Sequence, residues 1–151
     1  MKMITNGILI DSRKMGSVYN CNVVELKKIH NRAGNITPVT GDSDIPFAIN
    51  RIYYLYDVPG GEVRGGHAHY ELQQLIVAAS GSFDVVIDDG QNKKTVTLNR
   101  PNFGLVVTPG IWRDLMNFSS GAVLLVLASL PYDEADYIRD YKKFIDYKNG
   151  K

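Results

Sequence analysis

The chain of 151 residues holds a single cysteine, Cys21, so no internal disulfide can form and a reducing compartment is expected. Neither sign of charge is in excess: 17 Lys and Arg stand against 16 Asp and Glu, a formal net charge of +1. With no basic block to track phosphates, nucleic acid is not an expected partner. Long apolar runs are also lacking. The longest, "AVLLVLA" at 122–128, is strand-sized and far short of the ~20 residues of a membrane helix. The opening "MKMITNGILIDSRKMGSV" has no apolar stretch of signal-peptide type. These absences place the chain in the cytoplasm, with no membrane association, as one domain of ordinary globular composition, 44% hydrophobic and 22% charged.

What is present is a series of short Ile-, Val- and Tyr-rich segments separated by Gly, Pro, Asn and Asp: "RIYYLYDV", "QQLIVAAS", "SFDVVIDD", "KKTVTLN", "FGLVVT" and "AVLLVLAS". This spacing predicts an all-β sandwich or barrel. Phe83, Val85 and Ile87 alternate onto one face, and "DDGQNKK" supplies the turn of an antiparallel hairpin. After residue 132 the period changes. Tyr137, Ile138, Tyr141 and Phe144 or Ile145 recur at three and four, which predicts a C-terminal helix over about 132–148. Residues 1 to about 20 read as a weakly patterned extension.

Histidine is scarce, three in all, yet two stand one residue apart in "EVRGGHAHYELQQL". On a strand His67 and His69 share a face while Ala68 points away. Such a pair, titrating near neutrality, can move a proton from one carbon to its neighbour without a cofactor, which suits an isomerase acting beside a carbonyl. The enolate formed needs donors or positive charge, and Arg51 with Tyr53 at the same strand parity, or Arg113, can supply them. Arg64 precedes Gly65 and Gly66, whose missing side chains allow close approach to the backbone.

Read outward, the spacing runs Gly61, five residues, His67, one, His69, four, Gln74, six, Gly81. It resembles the first cupin motif, with Gln74 where a glutamate ligand normally stands. Gly104, Pro109, Arg113 and Asn117 resemble the second, shortened by a residue, with Arg113 in place of the histidine ligand. The resemblance implies a cupin jelly-roll barrel spanning 1–151. Gln offers a weak carbonyl and Arg no lone pair, so no metal is expected; binding through Glu71, of the same parity as the histidines, stays open.

The stretches "RIYYLYDVPGGEVRGGHAHYELQQL", "GLVVTPGIWRDLMNF" and "YDEADYIRDY" are similar to the sugar nucleotide 3,4-ketoisomerases acting on dTDP-4-dehydro-6-deoxy-D-glucose. The resemblance implies a metal-independent, cofactor-free homodimer that moves the ketone from C4 to C3 through an enediol. It implies His67, His69 and Tyr53 as catalytic residues, and Arg51 and Arg64 around the substrate, to which the reading of the cupin motifs adds Gln74 and Arg113. The C3 proton is assigned to His69 and the C4 side to His67. The family's product feeds a pyridoxal-phosphate aminotransferase in the making of surface glycans. Arg113 after Trp112 is the feature of members giving the gluco product, whereas Ala33 matches neither the gluco nor the galacto type. A non-catalytic sugar-nucleotide-binding cupin and a metal-dependent cupin oxygenase are the competing readings.

Overall fold

The computed structural model describes residues 2–5, 8–11 and 16–151. In chain order the strands are β1 (Lys2–Thr5), β2 (Ile8–Asp11), β3 (Val23–Glu25), β4 (Ile29–Asn31), β5 (Gly34–Ile36), β6 (Arg51–Leu55) and β7 (Arg64–His69). They continue with β8 (Gln74–Ser80), β9 (Phe83–Asp88), β10 (Lys93–Leu98), β11 (Phe103–Val107), β12 (Trp112–Met116), β13 (Val123–Ala128) and β14 (Tyr137–Ile138), before one helix, α1 (Tyr141–Lys148). Two five-stranded antiparallel sheets, ordered β10-β9-β12-β7-β14 and β3-β11-β8-β13-β6, face each other as the expected jelly roll. β1 pairs with β2, and β4 with β5, as separate two-stranded ribbons.

The predicted alternation is what builds the interior. Phe83, Val85 and Ile87 of β9 are buried against Ile76 and Ala78 of β8 and Leu124 and Val126 of β13, so the two inner faces close on each other. Outside the second sheet, Leu26, Ile45 and Phe47 from the connections cover Leu75, Val77 and Leu127. Outside the first sheet, Phe144 of α1 packs with Ala68, Trp112 and Ile138.

Two boundaries differ from the sequence reading. The helix is not continuous over 132–148: Glu134–Asp136 form a 3-10 turn, Tyr137–Ile138 a strand, and α1 begins only at Tyr141. Asp140 explains this, because its side chain accepts from the Lys143 N–H and caps the helix there. Ahead of the cap, Tyr137 pairs with His69 and Ile138 with Ala68, and these ladder bonds outweigh a helical spacing. The extension is also shorter than read, since Val18 and Cys21 are fully buried in the main core. Lys148 links the two ends, donating to the carbonyls of Gly16 and Gly110. Among the described residues no helix is long and apolar enough to cross a membrane.

Candidate active site

Alternation along β6 turns Arg51, Tyr53 and Leu55 inward and leaves Ile52 and Tyr54 exposed. The inward residues form one wall of a cavity of about 530 Å³, whose other walls come from β7, β12 and the 132–139 segment. That volume suits a small organic ligand. Four arginines line the cavity, Arg113 buried in its wall and Arg51, Arg64 and Arg139 closer to solvent, a setting for an anionic group.

β7 presents His67 on the cavity wall and holds His69 behind it, 3% exposed. Their rings meet edge to face at 4.9 Å between centroids, and Tyr137 lies against both, at 4.9 and 4.3 Å. Ala68, between them, points into the α1 side as the alternation requires. Burial, and then the neighbouring Arg113 cation, push the His67 imidazole down to about 3. Burial, then His67 and Arg113, push His69 down to about 2. Both are therefore neutral bases at pH 7, and the Nε2 atom of each is buried without a hydrogen-bond partner.

The two positions where cupin metal ligands would stand hold each other. Arg113 Nη2 donates to Gln74 Oε1 at 2.9 Å and to the Tyr53 hydroxyl at 2.9 Å, and Tyr53 donates to Gln74 Oε1 at 3.1 Å. Arg113 stands opposite His67 in the β12–β7 pairing, so a fixed guanidinium charge sits beside the imidazoles a cation would need. This donor set does not fit a metal ion. Among the described residues no group of three or more His, Cys, Asp or Glu side chains is arranged to hold a metal ion.

The glycines before the histidines serve this arrangement. A Cβ on Gly65 would lie 2.7 Å from Arg113 Nη1, and the residue's φ of +74° is one side chains rarely adopt. The register of β7 against β12 shifts here, with Arg113 opposite His67 but Leu115 opposite Arg64. Gly65 thus makes room for the guanidinium as well as for a ligand.

Of the residues expected from the sequence, Arg51, Tyr53, Arg64, His67 and Arg113 line the cavity. Gln74, 1% exposed, and His69 stand behind that wall and reach the site through their neighbours. Glu71 lies past the end of β7 in an exposed bend. Ala33 is exposed at the β4–β5 turn, away from the cavity walls.

The sequence reading missed Tyr132, Asp136, Tyr137 and Arg139. Arg139 stacks on Tyr137 at 4.2 Å and pairs with Glu134, whose carboxyl it holds down at about 2. Asp136 Oδ2 lies 3.1 Å from His69 Nδ1. Their signal was the segment "YDEADYIR", legible as a cluster but not as a wall of the site.

A family model described as FdtA, WxcM-like, C-terminal matches residues 19–149. The TDP-4-oxo-6-deoxy-α-D-glucose-3,4-oxoisomerase of Aneurinibacillus thermoaerophilus is 44% identical over 125 residues, covering 83% of this chain and 90% of that protein. Among solved structures, a histidine-to-asparagine variant of the 3,4-ketoisomerase QdtA from Thermoanaerobacterium thermosaccharolyticum, in complex with TDP-4-keto-6-deoxyglucose, superposes with a TM-score of 0.85 at 39% identity, covering 87% of this chain and 96% of that one. The TDP-quinovose 3,4-ketoisomerase WlaRB from Campylobacter jejuni gives 0.80 at 42% identity, covering 83% and 97%. The inward histidines, the arginine-rimmed cavity and these matches agree, and the chain belongs to the FdtA, WxcM-like family of sugar nucleotide 3,4-ketoisomerases.

Proposed function

We propose that this protein converts TDP-4-keto-6-deoxyglucose to the corresponding 3-keto sugar without a metal or other cofactor. The observation that carries the reading is a neutral, desolvated His67 on the cavity wall with Nε2 unpartnered and a fixed Arg113 cation opposite it. The sequence reading gave the C3 proton to His69; because His67 is the ring on the wall, we reverse that assignment. His67 takes the proton from C3, the bonding pair becomes the C3–C4 double bond, and O4 gains a proton to complete the enediol. The C3 hydroxyl then gives up its proton as C4 is protonated, which leaves the ketone at C3 with no net oxidation. Arg113 and Arg51 face the developing negative charge on oxygen, where preorganised donors act most strongly. The diphosphate meets the arginines at the rim.

Trp112-Arg113 and the likeness to a TDP-quinovose enzyme favour the gluco configuration at C4. Ala33 lies away from the walls and contributes nothing to that choice within one chain. The product's C3 ketone is a substrate for a transaminating enzyme, the consuming step we expect. A free, buried Cys21 suits the cytoplasm. The test is NMR of the protein with TDP-4-keto-6-deoxyglucose in deuterated water. Deuterium at C3 of recovered substrate and at C4 of the 3-keto product is the expected result, and the same reaction in ordinary water should give a product with the gluco H4–H5 coupling. Binding without exchange at C3 makes the protein a carrier of the sugar rather than an isomerase.

A further inference from the structure

The histidine behind the wall has the more closely defined surroundings. The Oδ1 of Asp136 accepts the Glu71 backbone N–H at 2.7 Å, while Oδ2 accepts that of Leu72 at 3.2 Å and faces His69 Nδ1 at 3.1 Å. The aspartate's own backbone is held as well, its carbonyl accepting from the Tyr70 N–H at 3.0 Å. A carboxylate that already receives two N–H groups has only acceptor capacity to offer a third neighbour, so the hydrogen of neutral His69 must sit on Nδ1. One ring nitrogen of a neutral imidazole carries the proton, and Nε2 is then the bare lone pair. That atom is buried, unpartnered and next to the ring of His67.

We propose that Asp136 is a positioning residue of this site: it fixes His69 as the Nδ1–H tautomer, so that Nε2 is the only atom at which this histidine can receive a proton from the reaction. As the ketone forms at C3, the proton given up by the C3 hydroxyl passes to Nε2, directly or through a neighbouring group, and makes an imidazolium whose charge Asp136 offsets. The proton leaves to solvent from the same atom before the next turnover; burial raises the Asp136 carboxyl above the usual carboxylate range, while the Leu72 N–H it accepts favours its charged form. The kinetic part of this inference rests on the ketoisomerase reading, whereas the tautomer is a property of the free protein. Burial, which holds His69 far below the usual imidazole range, keeps it neutral in the resting state.

Asp136→Asn separates orientation from anchoring. Its amide oxygen can keep accepting from the Glu71 N–H, while its NH₂ gives up the Leu72 bond, turns a donor toward Nδ1 and reverses the tautomer. With three histidines in the chain, ¹⁵N-histidine NMR of the full-length protein can be assigned using His30→Gln and His67→Asn. We expect wild-type His69 with a protonated Nδ1 and a bare Nε2, and the opposite in Asp136→Asn. Turnover of that variant should fall by about 10–100-fold, the usual range for a residue that orients another. Affinity for TDP should stay within about twofold, because the loss is of a group used in the transition state.

A wild-type His69 protonated at Nε2 overturns the inference, as does a reversed tautomer with undiminished turnover. Should Asp136→Asn not fold, the wild-type spectrum still decides the tautomer, and full turnover in His69→Asn rejects the kinetic role. Failure of the ketoisomerase reading shows itself separately, as wild-type protein with the expected tautomer and no exchange at C3.

Discussion

Arg113 donates to Gln74 across the interior at 2.9 Å, with both residues almost wholly buried. The pair occupies two of the four places at which a cupin would hold its ion, and it fills them with mutually satisfied hydrogen bonds. Purified protein is therefore expected to contain well under one metal per chain and to keep its activity after exhaustive chelation. Stoichiometric iron or manganese, with activity lost when it is removed, would overturn this. The measurement is elemental analysis beside a turnover assay.

The histidines should behave as a unit. His67→Asn and His69→Asn should each lower turnover by at least about 100-fold, the scale of general acid–base catalysis. His67→Asn should also abolish exchange of the C3 proton with solvent. TDP affinity should change far less, since the nucleotide is proposed to meet the arginines at the rim, and the double variant should be little worse than the worse single. Wild-type C3 exchange in His67→Asn would remove this residue from the role of first base.

Stability should follow the two imidazoles. Their values fall from 6.5 to about 3 and about 2 on folding, so between pH 6.5 and 3 the unfolded chain binds more protons than the native one. Stability then rises with pH in that window. The contribution is fully present above pH 6.5 and is lost as the pH falls toward 3. Each histidine adds about 1.4 kcal/mol per pH unit to the slope. Thermal unfolding from pH 4 to 8 should show the decline, less steep in His69→Asn. An equal slope in that variant would contradict the assignment. On the same grounds, kcat/KM of the wild-type enzyme should show no acid limb near pH 6.5.

A homodimer is expected in solution. β6 is an edge strand whose outward residues, Ile52 and Tyr54, are 59% and 60% exposed, an apolar stripe that a second copy would cover. Sedimentation should give twice the chain mass, and Ile52→Lys with Tyr54→Lys should shift it toward monomer. A wild-type species of 16.8 kDa at micromolar concentration counts against the dimer.

The strands and the inner wall were legible because period-two alternation is local. Phe83, Val85 and Ile87, or Arg51 and Tyr53, declare their face within a few residues. The tail was not, since Tyr137, Ile138, Tyr141 and Phe144 fit a helical period. What sends Tyr137 into a strand is its pairing with His69, far away in the chain. Asp136 was illegible for the same reason: an acidic residue in an acidic segment shows nothing of its role until the fold brings it to a histidine 67 positions earlier. Gln74 was expected around the substrate; the fold puts it behind the cavity wall, where its Oε1 accepts from Arg113 and Tyr53, a contact that spacing does not reveal.

β14 also sets the order in which the site is completed. Both large sheets draw their other strands from residues before β14, so a chain synthesised through β13 already has the strands that carry His67, Arg51 and Arg113. Tyr132, Asp136, Tyr137 and Arg139 follow β13 and emerge from the ribosome after it. A nascent or clipped chain ending at Ala128 therefore has the strands that carry His67, Tyr53 and three of the cavity's arginines, and lacks Asp136 behind His69 together with the Tyr132, Tyr137 and Arg139 wall. Circular dichroism would count such molecules as folded and nucleotide affinity would count many as competent, so only turnover measures the finished fraction of a preparation.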